Sequence, residues 1–241
     1  MYFDIYYVIL VLPTVILALI AQARVKSTFN TYSKVFNRRG MTGAQVAEAI
    51  LHGAGIYDVQ IMPIQGSLTD NYNPSTKVVS LSESVYGSTS IAAAGVAAHE
   101  CGHAIQHHVG YAPLQFRNAI IPITQIGSRL SMPLILAGLV FTYFTSGSYA
   151  GSNFAYTLVY IGIAAFGLSV LFQVVTVPVE FNASRRALDI LGSSQLLEQD
   201  EVGHAKKVLS AAAMTYVAAM AQSLAMLLRL LLIFGRGRDR R

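Results

Sequence analysis

Four stretches of this 241-residue chain are longer and more apolar than ordinary core elements. A bilayer hydrocarbon core of about 30 Å takes about 20 residues of helix. Residues Tyr6 to Ala23 meet that requirement, with Pro13 the only helix breaker. A second stretch runs from about Ile120 to Phe144, and Arg129 interrupts it, so its span can begin as late as Leu130. A third runs from Phe154 to Val177, and a fourth from about Val208 to Phe234, with Arg229 inside it. The uncharged segment from Thr145 to Asn153 joins the second and third as a membrane hairpin. Charged residues make up 12% of the chain, against about 25% in soluble domains. That excludes an ordinary water-soluble globule and a disordered chain. A lone cysteine, Cys101, excludes an intrachain disulfide framework. The expected class is a mostly α integral membrane protein.

Charge placement sets the expected topology. Asp4 precedes the first stretch, while Arg24 and Lys26 follow it at once, the reverse of a secretory signal peptide. The stretch therefore reads as an uncleaved anchor with its N-terminus outside. Lys34, Arg38, Arg39, Arg117, Arg185 and Arg186 then fall on the same side as Arg24 and Lys26. By the positive-inside rule that side is the cytoplasm of a multi-pass cell-membrane protein. The net charge of +5 is read as topology, not as nucleic-acid binding, for which no motif is present. The fourth stretch stays open. As a span it places the tail Gly235–Arg241 outside, against the rule, and the alternative is a buried or interfacial helix. The organisation expected is an anchor (1–23), a cytoplasmic catalytic part (24–118), a transmembrane hairpin (119–177) and a C-terminal catalytic part (178–241).

Within residues 24–118, Thr42 to Leu51 reads as a helix capped by Thr42 and ended by Gly53 and Gly55. Tyr57 to Ile64 and Lys77 to Leu81 read as strands, and Gly66 to Pro74 as a turn-rich loop between them. Ser90 to Val109 is an alanine-rich helix, with Pro113 closing the segment. On that helix lies His99-Glu100-Cys101-Gly102-His103. Two histidines four apart share a helical face, so both imidazoles can reach one metal ion, while Glu100 can act on a water without being a ligand. Zinc is the metal expected. A catalytic zinc needs a third protein ligand and an open position. His107 lies about 12 Å along the axis from His99, too far for one ion to hold with both. His108 points to another face, and His52 sits at a helix end. Glu180, just past the third apolar stretch, is the better candidate and His204 the other. The structural role open to Glu180 is pairing with Arg185 or Arg186.

The runs Gly66–Pro74, Leu81–Tyr86, Ala97–Gln106, Pro178–Leu188 and Ala211–Ala219 resemble the YugP-like membrane zinc metallopeptidases across nearly the whole chain. The layout is more distantly similar to HtpX and the CAAX prenyl proteases, gluzincins in which a later glutamate completes the site. The resemblance implies a zincin-like α+β catalytic domain with a small sheet. It implies a membrane hairpin inserted between the HExxH helix and the third ligand. It also implies zinc at His99, His103 and Glu180, with Glu100 as general base in peptide-bond hydrolysis. Asn71, Asn73 and Asn182 depart from the family's usual residues, and Ser184 stands where the HtpX-type pattern has Asp. Ser184 can still hydrogen-bond a ligand. His204, Tyr216 and Arg185 are candidates to stabilise the oxyanion, and the Lys77–Leu81 strand could pair with an extended substrate. The expected partners are a peptide or membrane-protein substrate and the lipid bilayer. A zinc-binding membrane scaffold without catalysis is the rival reading. A transporter is weaker, because Arg129 and Arg229 are the only ionisable residues in the apolar runs.

Overall fold

The computed structural model describes residues 4–145 and 149–235. It is mostly helical, with seven α-helices and three strands among the described residues. A π-helical turn, Tyr7–Val11, leads into α1 (Leu12–Tyr32). α2 (Gly43–Gly53) starts on a capping box, in which Thr42 and Gln45 each bind the other's backbone N–H. β1 (Gln60–Ile64), β2 (Asn71–Asn73) and β3 (Val78–Ser82) precede the single-turn α3 (Glu83–Tyr86). α4 (Ile91–His108) carries the two-histidine motif. α5 (Ala112–Phe144), α6 (Tyr149–Ser193) and α7 (Gln199–Gly235) follow. Four helices are long and apolar enough to cross a membrane: those from Tyr7, Ala112, Asn153 and Gln199 onward.

Three local readings of the sequence change. α5 is continuous from Ala112 through Arg129, with Pro113 in its first turn, where a missing N–H costs nothing, and Pro122 accommodated inside it. The loop expected at Thr145–Asn153 is shorter, since α6 begins at Tyr149; residues 146–148 lie outside those described. The loop expected at Gly66–Pro74 contains a strand, β2, whose three residues give too short a pattern to register.

The chain divides into two compact units. One comprises residues 19–115 and 177–216. Its sheet has the order β1-β3-β2, with β1 parallel and β2 antiparallel to the central β3. β3 buries Val79 and Leu81 against Val46, Ile50 and Leu51 of α2 and the alanine-rich α4. Fourteen of the 18 residues of α4 are buried, so its small side chains let neighbours close in on every side. Its closest approach to α6 is at Gly102, where a Cβ would lie 2.6 Å from the Ala183 carbonyl oxygen. Asn37 closes the α1–α2 loop by accepting from the Met41 N–H and donating to the Met41 and Thr89 carbonyls.

The other unit comprises residues up to 18, 116–176 and from 217 onward. There α5 and α6 pack through glycines: a Cβ at Gly138 would meet the Ala155 carbonyl oxygen at 2.6 Å, and one at Gly162 the Ser131 carbonyl oxygen at 2.8 Å. Such small-residue contacts are the usual way apolar helices approach without a hydrophobic driving force between them. Ile135, Val159, Ile163 and Leu230 form its core. Arg229 donates from Nε to Asp4 Oδ2 at 2.8 Å and from Nη2 to the same oxygen, and its guanidinium lies 5.6 Å from the Tyr7 ring centroid.

Gly102→Ala is expected to destabilise the protein by about 1–3 kcal/mol, because the added carbon drives α4 off α6. Gly203→Ala, where a Cβ meets nothing within 4 Å, is expected to be neutral or stabilising by up to about 1 kcal/mol. Thermal unfolding of both variants in one detergent compares them directly.

Candidate metal centre

The α4–α6 contact places one residue of α6 over the histidine face of α4. Glu180 Oε2 lies 3.2 Å from His99 Nε2 and 3.3 Å from His103 Nε2. The three ligand atoms lie within 4.8 Å of one another, and Glu180 is buried. Glu180 thus faces the histidines and not Arg185, which is exposed. Ligand atoms about 2.1 Å from a tetrahedral zinc are about 3.4 Å apart. Both measured Nε2–Oε2 separations fit that edge.

The hydrogen bonds behind the ligands fix which nitrogens face the centre. Arg186 Nε, a donor only, lies 2.9 Å from Asn182, so the atom it meets is Oδ1. Gln106 therefore turns its Nε2 to that oxygen, at 3.0 Å, and to the Val179 carbonyl, at 2.9 Å. Its Oε1 is left facing His103 Nδ1 at 3.0 Å and accepts the imidazole N–H. With Nδ1–H held in this way, the neutral form of His103 has Nε2 free for a metal ion. His99 Nδ1 lies 3.1 Å from Ser184 Oγ, which can accept in the same way. The donor set, two imidazoles and one carboxylate, suits zinc.

Glu100 is buried beside this group and coordinates neither histidine. Burial pushes its carboxyl up to about 7, aided by the negative charges of Glu180 and Asp70 and opposed by His99. The backbone N–H of Tyr72 on β2 approaches it and weakly opposes the rise. β2 is held in place from the other side, where Tyr72 Oη lies 2.8 Å from His107 Nδ1. Asp70 accepts from the Ser82 N–H at 2.7 Å and the Ser82 hydroxyl at 3.0 Å, while burial raises its carboxyl. A hollow of about 620 Å³ opens over His99 and Glu100, with Asp70, Phe29, Leu209 and Tyr216 among its walls.

The remaining expectations sort by position. Tyr216 lines this hollow, and Ser184 touches a ligand. His204 does neither; its ring stacks on Tyr32 at 5.0 Å, and Arg185 is turned out to solvent. Cys101 packs as a small core residue, with Sγ 3.6 Å from the Ala47 carbonyl oxygen and burial raising its thiol pKa. The Lys77–Leu81 strand has no free edge for a substrate, because β3 is central and paired on both sides. Sequence reasoning assigned no role to Gln106, although it lies three residues after His103 on the same helical face. The Tyr72 N–H had no sequence signal, since any residue supplies one.

Comparison with known proteins identifies the family. Residues 7–235 match the profile of a family described as "putative neutral zinc metallopeptidase". The chain belongs to this family. It is also similar to a Bacillus subtilis protein named "Putative membrane protease YugP", with 46% identity over 219 residues, 91% of this chain and 92% of that one. No solved structure matches the chain. The matched region spans all three ligand candidates and Glu100.

Two outcomes follow from the geometry. Glu180→Ala is expected to lose the bound zinc of the purified protein, whereas Gln106→Ala and Ser184→Ala are expected to weaken zinc about 10–100-fold; chelator competition with metal analysis reads both. Glu100 is protonated below about pH 7 in the metal-free centre, and a dication favours the ionised carboxylate. Zinc binding should therefore release that proton, and zinc affinity should fall as pH drops below about 7. The fall should be shallower in Glu100→Gln. Proton release on zinc addition, measured in two buffers of different ionisation heat, tests the sign.

Proposed function

We propose that the protein is a membrane metalloendopeptidase of the gluzincin type, with His99, His103 and Glu180 as zinc ligands and Glu100 as general base. The observation that carries this reading is the separation of roles within one centre. Three side chains converge on a point, and a fourth carboxyl, buried and outside the ligand group, lines the hollow beside it. A scaffold needs the first arrangement but has no use for the second.

A zinc ion held by His99, His103 and Glu180 would supply Lewis acidity toward the substrate carbonyl and the attacking water. The chain's own residues do the rest. Glu100 takes the proton of the attacking water on a carboxylate oxygen and passes it to the leaving amine nitrogen. The Tyr72 N–H orients that carboxylate. Gln106 and Ser184 hold the imidazoles in the tautomer that leaves Nε2 free. Tyr216 lines the hollow where an oxyanion would form, which makes it the best placed of the suggested donors. The walls of that hollow are largely apolar, including Phe29, Val208 and Leu209, so peptide segments with apolar side chains are the substrates it suits.

The sequence supports a position close to the cytoplasmic membrane face. Glu180 follows the third apolar stretch by three residues, and the basic residues that flank these stretches share one side under the positive-inside rule. In this reading α5 and α6 form a membrane hairpin inserted between the histidine helix and the third ligand. Membrane proteins, or segments leaving the bilayer, are then the accessible substrates.

Glu100→Gln should lower peptidase kcat/KM by at least about 100-fold while the protein keeps one zinc per chain. Cleavage of a quenched apolar peptide, read beside metal content, decides the point. Unchanged cleavage by that variant would reject Glu100 as the base and leave the scaffold reading ahead.

A further inference from the structure

We propose that Arg24 and Lys207 form a binding site for the phosphate of an anionic phospholipid head group. A hollow of about 450 Å³ lies between the 19–32 segment of α1 and the 199–216 segment of α7. Two cations line it, Arg24 and Lys207, together with the hydroxyl residues Ser27, Thr28 and Ser210 and the ring of Tyr32. No Asp or Glu is in its wall.

Several other cations of the fold are committed to acids. Arg38 is paired with Asp200, Lys77 with Asp58 and Arg229 with Asp4. Among the described residues, neither Arg24 nor Lys207 forms a salt bridge. Lys207 instead rests its ammonium 5.9 Å from the Tyr32 ring centroid, and that ring is backed by His204. Such a contact orients the charge without neutralising it. The side-chain hydroxyls of Ser27, Thr28 and Ser210 are likewise committed to no partner among the described residues. Thr31, by contrast, donates to the Ser27 carbonyl at 2.9 Å. Two unneutralised cations and three available hydroxyl donors make a phosphate-shaped set of partners.

Depth is set by the sequence. Arg24 is the residue that ends the apolar run Tyr6–Ala23, and Lys207 immediately precedes the run that starts at Val208. Two helices thus bring the charged boundary of their own apolar runs to one hollow. A free phosphate ion would need no such coincidence. A lipid head group does, because its phosphate is held at the boundary between hydrocarbon and water.

The test uses the full chain in nanodiscs of phosphatidylcholine containing a minor fraction of phosphatidylglycerol. Bound lipid is counted by native mass spectrometry after release from the disc. The wild type is expected to retain phosphatidylglycerol, and Arg24→Gln/Lys207→Gln to retain it at least about tenfold more weakly. The charge-matched control Arg39→Gln/Lys77→Gln is expected to behave as wild type. Equal losses in the two double variants would overturn the site, as a general charge effect. Equal retention of phosphatidylcholine by the wild type would overturn it as well. Thermal stabilisation in detergent by inorganic phosphate at concentrations matching the lipid would overturn the lipid assignment in favour of a free anion. Unfolding midpoints in pure phosphatidylcholine discs check that the variant is folded, and the single variants Arg24→Lys and Lys207→Arg, which keep the charge, should retain the lipid.

Discussion

Everything in the metal centre depends on how closely α6 can approach α4. The distance is set at Gly102, which sits between the motif's two histidines in sequence and meets the Ala183 carbonyl of α6 on its bare Cα face. Any side chain there would push the helices apart. Glu180 lies three residues before Ala183, one turn along the same helix. The glycine thus sets how closely the third ligand approaches the histidines. The alanines of α4 serve the same end, since a helix buried on nearly every side must be narrow.

The approach also lets α6 support both histidines, His99 directly through Ser184 and His103 through Gln106 of α4. Ser184 and Asn182 lie within four residues of Glu180, so one helix supplies a ligand and the groups that orient the other two. Arg186 anchors the far end of the chain of contacts as an obligate donor. Its single polarity propagates through two amides to a ring nitrogen on another helix. Asn182 and Ser184 are both neutral, so hydrogen-bond direction and not charge is what orients the rings here.

Much of this was legible beforehand, for identifiable reasons. Long apolar stretches announce themselves by length alone, and His99, Glu100 and His103 by helical spacing. Glu180 was legible because it stands beside an apolar run where a charge serves no local purpose. His204 was a reasonable competitor that geometry removes, since an aromatic neighbour on α1 takes its ring. What escaped was nonlocal or backbone-borne. β2 is three residues long and exists only through its pairing with β3. The N–H that Tyr72 gives to Glu100 has no residue signature. Gln106 carries no charge, so nothing in composition singles it out.

The pairing of Asp4 with Arg229 joins groups 225 residues apart. Synthesis runs from the amino to the carboxyl end, so the acid before the first apolar helix is made long before its partner on α7. Until α7 is in place, that carboxylate lacks this guanidinium. The contact can therefore close only late in assembly, and it then ties the first apolar helix to α7 by charge as well as by packing.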